Sequence, residues 1–309
     1  MNTELFTLEE ALCKPLIIDG GMGSELERNG CNVSDSLWSG RVLLESPSEI
    51  ARVHRAYLEA GAQVLITASY QVSYSGFAQK GISPEMTESA LKRSIEIARD
   101  VRDEFYADTG EFALVAASVG PYGAALADGS EFHGNYAIGV SELIDFHRQR
   151  MKVLASSGPD LLACETIPSL GEAQAILTCL KEFSDTKAWF SFSCQDERHI
   201  AHGEEIRACA RLLNCEPQVV AVGVNCTPPR LITSLIEELR TETQKPIVIY
   251  PNAGRTWDAA SRGWRGGSEL EHFAELGRKW RASGASWIGG CCGTTPSDIA
   301  TLRQSRAIS

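Results

Sequence analysis

Short apolar runs rich in branched residues recur along the chain: 16–18, 64–68, 113–119, 161–164, 188–193, 219–224, 247–250 and 286–288. Each has the length of a buried strand and falls short of a helix. Between them the apolar positions change to helical spacing. Ile50, Val53, His54, Tyr57 and Leu58 share one helix face, as do Leu91, Ile95, Ala98 and Val101, and Ile232, Leu235, Ile236 and Leu239. Ser46-Pro47, Ser83-Pro84 and Thr295-Pro296 mark helix starts, with a capping hydroxyl before a proline. Gly61, Gly158 and Gly284 stand where helices should stop. Eight strands alternating with eight helices predict an α/β fold, a (β/α)8 TIM barrel forming a single domain over residues 1–309. An open doubly wound sheet is the runner-up. It would usually carry G-x-G-x-x-G after its first strand, and Asp19-Gly20-Gly21-Met22-Gly23 does not fit that pattern.

A barrel gathers its chemistry at the C-terminal ends of its strands. Read in order, those ends are Asp19, Thr67, Ser118, Glu165, Ser193, Asn225 with Cys226, Tyr250 with Asn252, and Cys291 with Cys292. Acids, hydroxyls, amides and thiols follow directly on apolar runs.

Composition narrows the partners. The 309 residues are 43% hydrophobic and 22% charged, which describes a globular protein. Net charge is 29 − 40 = −11, unsuited to nucleic acid or an anionic membrane, both of which reward Lys and Arg. No run of 18 or more apolar residues occurs, and the acidic N-terminus has no signal-peptide pattern. The expectation is a cytoplasmic protein, whose ten cysteines are free thiols, metal ligands or nucleophiles. The six histidines form no H-E-x-x-H, and neither G-x-S-x-G nor a Walker glycine loop is present.

Three thiols stand at strand ends. Cys291 and Cys292 lie in Gly289-Gly290-Cys291-Cys292-Gly293-Thr294-Thr295-Pro296, where glycines allow a sharp turn, and Cys226 ends the sixth strand. Strands six and eight of a barrel are separated by one strand, so the three can meet. Three protein ligands and an open position describe a catalytic zinc site. Two other readings of the residues stay open: a phosphate cradle at the glycine-rich turn, and plain core packing. Cys13, Cys31, Cys179, Cys209 and Cys215 are read as bystanders, and Cys164 and Cys194 as packing. A three-thiolate zinc carries net charge −1 and activates water poorly. It can still take a substrate thiol and lower its pKa from about 8.5 to below neutrality. Alkyl transfer to a thiol is the matching reaction.

Asp19-Gly20-Gly21-Met22-Gly23-Ser24-Glu25-Leu26-Glu27, Gly223-Val224-Asn225-Cys226-Thr227 and Gly289-Gly290-Cys291-Cys292-Gly293 resemble the signatures of the homocysteine S-methyltransferase family. The likeness runs from about Leu16 to the C-terminal helix. Ala127-Asp128-Gly129-Ser130-Glu131-Phe132-His133-Gly134 and the compact length resemble the bacterial and plant members that use S-methylmethionine. The resemblance implies one Zn2+ per chain, held by Cys226, Cys291 and Cys292. It also implies homocysteine as methyl acceptor, with S-methylmethionine or S-adenosylmethionine as sulfonium donor. Asp19 and Glu165 are then expected to bind the amino acid, with Glu165 the ammonium partner and Thr67 nearby. Backbone N–H groups of Gly20, Gly21 and Met22 could take the carboxylate, and Asn225 would orient loop or substrate. No side-chain base is required. Tyr70, Tyr122, Trp257 and Trp264 are candidate aromatic faces for a sulfonium. The alternatives are a betaine-dependent homocysteine methyltransferase, a phosphate-binding barrel lyase or aldolase, and a non-enzymatic zinc-buffering protein. Oligomeric state cannot be read from the sequence.

Overall fold

The computed structural model describes residues 8–34, 36–254 and 268–304, together with the backbone of 256–258, 263–265 and 305–306. Eight strands form one parallel sheet: β1 (Leu16–Ile17), β2 (Val64–Ile66), β3 (Leu114–Val119), β4 (Leu161–Ile167), β5 (Ala188–Phe192), β6 (Val219–Asn225), β7 (Ile247–Tyr250) and β8 (Ala285–Ile288). Their order is β1-β8-β7-β6-β5-β4-β3-β2. A parallel bridge from Ile18 to Val64 joins the two ends. Two hydrogen bonds support it, Asp19 N–H to the Val64 carbonyl at 3.0 Å and Gln63 N–H to that of Ile17 at 2.7 Å. The sheet is therefore the expected (β/α)8 barrel.

Each strand is followed by a helix on the outside: α1 (Pro47–Glu59), α2 (Pro84–Thr109), α3 (Val140–Ser156), α4 (Leu170–Leu180), α5 (Ile206–Asn214), α6 (Pro229–Arg240), α7 (Phe273–Ala282) and α8 (Pro296–Arg306). Ser83 and Thr295 cap α2 and α8 through their hydroxyls, as the sequence pattern predicts. Ser46 precedes α1 without a side-chain cap, so Pro47 alone fixes that start. Gly61, Gly158 and Gly284 follow α1, α3 and α7 with φ of 99°, 75° and 115°.

The barrel interior is filled by Leu16, Ile18, Val64, Leu114, Leu161, Val248, Trp189 and Trp287, with Ala116, Ala163 and Ala221 between them. The small residues make room for the two indoles, whose rings meet edge-on at 6.0 Å. Below them the short helix Leu8–Leu12 closes the N-terminal end with Ala11 and Leu12. A larger apolar layer joins strands to helices. A strand-end irregularity lies in β4, which continues three residues past the apolar run. Register shifts between Cys164 and Ile167, where Thr166 adopts φ 59°. Glu165 thereby sits inside a bulged strand. Among the described residues no helix is long and apolar enough to cross a membrane.

Candidate active site

The loops at the C-terminal ends enclose a cavity of about 390 Å3. Gly20, Gly21, Thr67, Glu165, Cys226, Cys291 and Cys292 line it, which gathers residues from β1, β2, β4, β6 and β8. The lining also includes Tyr70, Glu131, Thr166 and Trp38, and among the described residues it contains no Lys or Arg.

The three thiols meet on its floor. Cys292 Sγ lies 3.7 Å from Cys226 Sγ and 4.0 Å from Cys291 Sγ, and all three are within 4.8 Å of one another. Tetrahedral zinc with Zn–S near 2.3 Å would put its sulfurs about 3.8 Å apart, so the spacing fits such an ion. Three soft thiolates without oxygen ligands favour zinc over magnesium or calcium. No fourth His, Cys or carboxylate joins the group among the described residues. Hydrogen bonds from Cys226 and Cys291 stabilise the Cys292 thiolate and hold its pKa well below the ordinary value. Cys226 is pushed up, because its thiol serves as donor to its neighbours and is buried. A divalent cation would remove that competition by accepting all three as thiolates.

Two devices hold the trio. The first is close approach of the β1 and β8 loops. A Cβ on Gly21 would stand 2.6 Å from the Cys291 carbonyl; within the β8 loop itself, one on Gly290 would stand 2.3 Å from Thr294 Oγ1. Neither glycine has a positive φ, so glycine is required at these two positions for contact, while the sharp turn expected of the motif falls at Gly293, with φ 82°. Thr294 fastens the two loops: its hydroxyl donates to the Cys291 carbonyl at 2.6 Å and accepts from Gly21 N–H at 3.1 Å.

The second device clamps β4 to β6. Asn225 Oδ1 accepts from Thr166 N–H at 2.7 Å, while its Nδ2 donates to Thr166 Oγ1 at 2.8 Å. Cys226, the next residue, is held at φ 47° with its N–H on the Tyr250 carbonyl at 3.1 Å. A left-handed non-glycine residue is strain sustained by its surroundings. Asn225 was expected to orient loop or substrate. Both ends of its amide are committed to Thr166, so it positions the Cys226 loop and does not line the cavity.

The acids differ in their supports. Glu165 Oε1 accepts from Ser118 Oγ at 2.5 Å. Burial, with the charge of Cys291, pushes its carboxyl up to about 8 against that hydrogen bond. Ser118 N–H donates to Thr67 Oγ1 at 3.1 Å, and Ser69 Oγ donates to the Ser118 carbonyl at 2.8 Å. Thr67 Oγ1 therefore donates to Ser69 Oγ, 2.8 Å away, and these two hydroxyls hold the backbone of Ser118, whose own hydroxyl supports Glu165. Asp19 Oδ2 accepts from Ile66 N–H at 2.8 Å, whereas Oδ1 is buried without a partner. Burial raises its pKa well above the usual carboxylate range. Gly21 N–H is taken by Thr294, so it cannot also receive a substrate carboxylate.

Of the four aromatic candidates, Tyr70 lines the cavity. Tyr122 instead packs edge-on against Tyr136 and Phe146, at 5.2 and 5.1 Å. The side chains of Trp257 and Trp264 lie outside the described residues. The sequence reading missed Glu131 and Trp38. Glu131 stands inside a motif already quoted for its resemblance, but nothing local marks that acid as inward-facing. Trp38 lies in the long β1–α1 loop without strand or helix pattern. All ten cysteines are free, and Cys164, Cys179 and Cys209 are buried in packing positions.

Residues 16–306 match the family described as homocysteine S-methyltransferase. The homocysteine S-methyltransferase YbgG of Bacillus subtilis is 49% identical over 289 residues, 92% of each chain. The selenocysteine methyltransferase of Astragalus bisulcatus is 48% identical, covering 92% of this chain and 90% of its own. Among solved structures, the metallated form of the homocysteine methyltransferase MmuM from Escherichia coli superposes with a TM-score of 0.87. It is 42% identical, and the match covers 96% of this chain and 99% of that one.

Proposed function

The chain belongs to the homocysteine S-methyltransferase family, and from that premise we propose that it methylates homocysteine to methionine with a sulfonium donor. S-methylmethionine is the preferred donor in this reading, and S-adenosylmethionine the second. The observation that carries it is the thiol trio on the floor of a cavity without basic side chains among its described lining. We assign one Zn2+ per chain to Cys226, Cys291 and Cys292. When bound, zinc supplies an open position at which a substrate thiol loses its proton near neutral pH.

The protein's own groups orient the two substrates. Glu165, held by Ser118, receives the homocysteine ammonium, and Asp19 lies beside it as the second acid. The substrate carboxylate faces the first turn of the helix Met22–Arg28, whose leading N–H groups lack intrahelical partners. Tyr70 and Trp38 offer ring faces to a sulfonium. The carbon–sulfur bond of the donor breaks as the new one forms. Its electron pair stays on the departing sulfur, so both products are neutral thioethers. No proton moves in that step, which is why no side-chain base is assigned.

A betaine donor carries only a quaternary nitrogen and offers no N–H to Glu131 or Glu165, the buried acids of a cavity with no Lys or Arg among its described lining. A Schiff-base aldolase would need a lysine in the same place. A cavity of this size also has no use in a zinc buffer. The acidic, thiol-rich chain suits a reducing cytoplasm. Zinc analysis and steady-state rates test the reading. The parent protein is expected to hold about one zinc and to turn over fastest with S-methylmethionine; Cys226→Ala, Cys291→Ala and Cys292→Ala each lose the metal. Unchanged zinc in all three variants, or rates with betaine equal to those with S-methylmethionine, would overturn it.

A further inference from the structure

One buried acid of the cavity has no task in this scheme. Glu131 belongs to the 3-10 turn Ser130–Phe132 on the β3–α3 loop and forms part of the cavity wall. It is only 8% exposed, and its Oε2 has no hydrogen-bond partner. Burial, with Asp128 nearby, pushes its carboxyl up to about 7. A buried carboxyl with an orphan oxygen destabilises the fold, so its presence calls for a ligand.

The support beneath it is rigid. Asp128 Oδ1 accepts from Ser130 N–H at 2.9 Å, and the Glu131 carbonyl accepts from Ser193 Oγ at 3.1 Å. A Cβ on Gly123 would lie 2.3 Å from Glu131 N, so the two halves of the loop are in direct contact. Glu172, fully buried, anchors the start of the loop by accepting from Tyr122 N–H at 2.5 Å, with His147 Nε2 2.9 Å away. The carboxyl is presented on a braced element, as a recognition group should be.

Two positive charges come with an amino-acid sulfonium donor. The sulfonium charge disappears during transfer, so a carboxylate against it would stabilise the ground state more than the transition state and slow the reaction. The α-ammonium keeps its charge, and a carboxylate there strengthens binding without that penalty. We propose that Glu131 binds the α-ammonium of the methyl donor and selects an amino-acid sulfonium over donors lacking that group. The assignment rests on the sulfonium reading above.

The test is a kinetic cycle between protein and donor. Parent and Glu131→Gln are assayed with homocysteine and either S-methylmethionine or its deamino analogue, a dimethylsulfonium that lacks only the amino group. With S-methylmethionine, Glu131→Gln is expected to raise the donor KM roughly 10- to 100-fold, with kcat within about threefold and the homocysteine KM unmoved. With the deamino analogue, the parent loses a similar factor and the substitution adds less than about threefold more. Glu131→Asp, which keeps the charge, recovers part of the loss. An equal penalty with both donors, a loss confined to kcat, or no loss at all overturns the assignment. A parent inactive with every sulfonium overturns the sulfonium reading itself, and this assignment with it.

Discussion

The two ends of the barrel are built from the same strands, yet they treat polar groups in opposite ways. At the N-terminal end and through the middle, Trp287 Nε1 donates to the Lys14 carbonyl at 3.2 Å and Trp189 Nε1 to the Tyr250 hydroxyl at 2.9 Å. Around them lie Ala11, Leu12, Leu16 and Leu161. At the C-terminal end, Asp19 and Glu131 each keep a buried oxygen without a partner. All four non-glycine residues with positive φ among the described residues lie on that side, Thr166 within the last residues of β4 and Trp38, Ala127 and Cys226 in segments that follow strands. Folding free energy alone favours the first arrangement over the second. The satisfied end supplies the stability that lets the other end stay strained and under-paired for its ligands.

The contrast can be broken from either side. The largest effect is expected from Cys226→Ala, which should reduce turnover at least ~1000-fold while leaving unfolding free energy within about 1 kcal/mol. Rates and urea melts of apoprotein, measured together, decide it. A large loss of stability would mean that the thiols belong to the scaffold. Trp287→Ala should do the reverse. Removing a fully buried indole costs about 3–5 kcal/mol, with kcat per folded molecule nearly unchanged.

Asn225 lies where the two kinds of construction meet. Its replacement by Ala leaves Thr166 N–H buried and unpaired, at a cost of about 1–3 kcal/mol. It also frees the Cys226 loop, so a zinc competition assay should read about 10- to 100-fold weaker binding. Loss of stability with intact metal affinity would disprove the clamp.

The smallest effect sharpens the comparison by showing that pH sensitivity also resides in the scaffold. His54, on α1, is fully buried without a partner on either ring nitrogen, and burial pushes its pKa down to about 4. Above pH ~6.5 it is neutral in both folded and unfolded chains and contributes nothing to pH dependence. As pH falls below that value the unfolded chain takes up a proton that the native state refuses, and stability declines until about pH 4. Near pH 5.5 the loss should be about 1 kcal/mol, and His54→Leu should remove it from the difference between urea melts at pH 7 and 5.5. An unchanged difference would place the titration elsewhere.

The alternation of apolar runs with helical faces, and the polar residue ending each run, are local properties of the chain. They specify the barrel, the helix stops at Gly61 and Gly284, and the mouth to which Cys226 and Cys291 would be carried, because burial periodicity is written in consecutive residues. What no local pattern contains is contact between distant segments. That Asn225 grips Thr166, that Gly21 stands against the Cys291 carbonyl, and that Glu131 faces inward from a loop all depend on which loops become neighbours when the barrel closes. Long-range packing decided those three points, because a side chain's partners follow from closure of the whole sheet and not from the residues beside it.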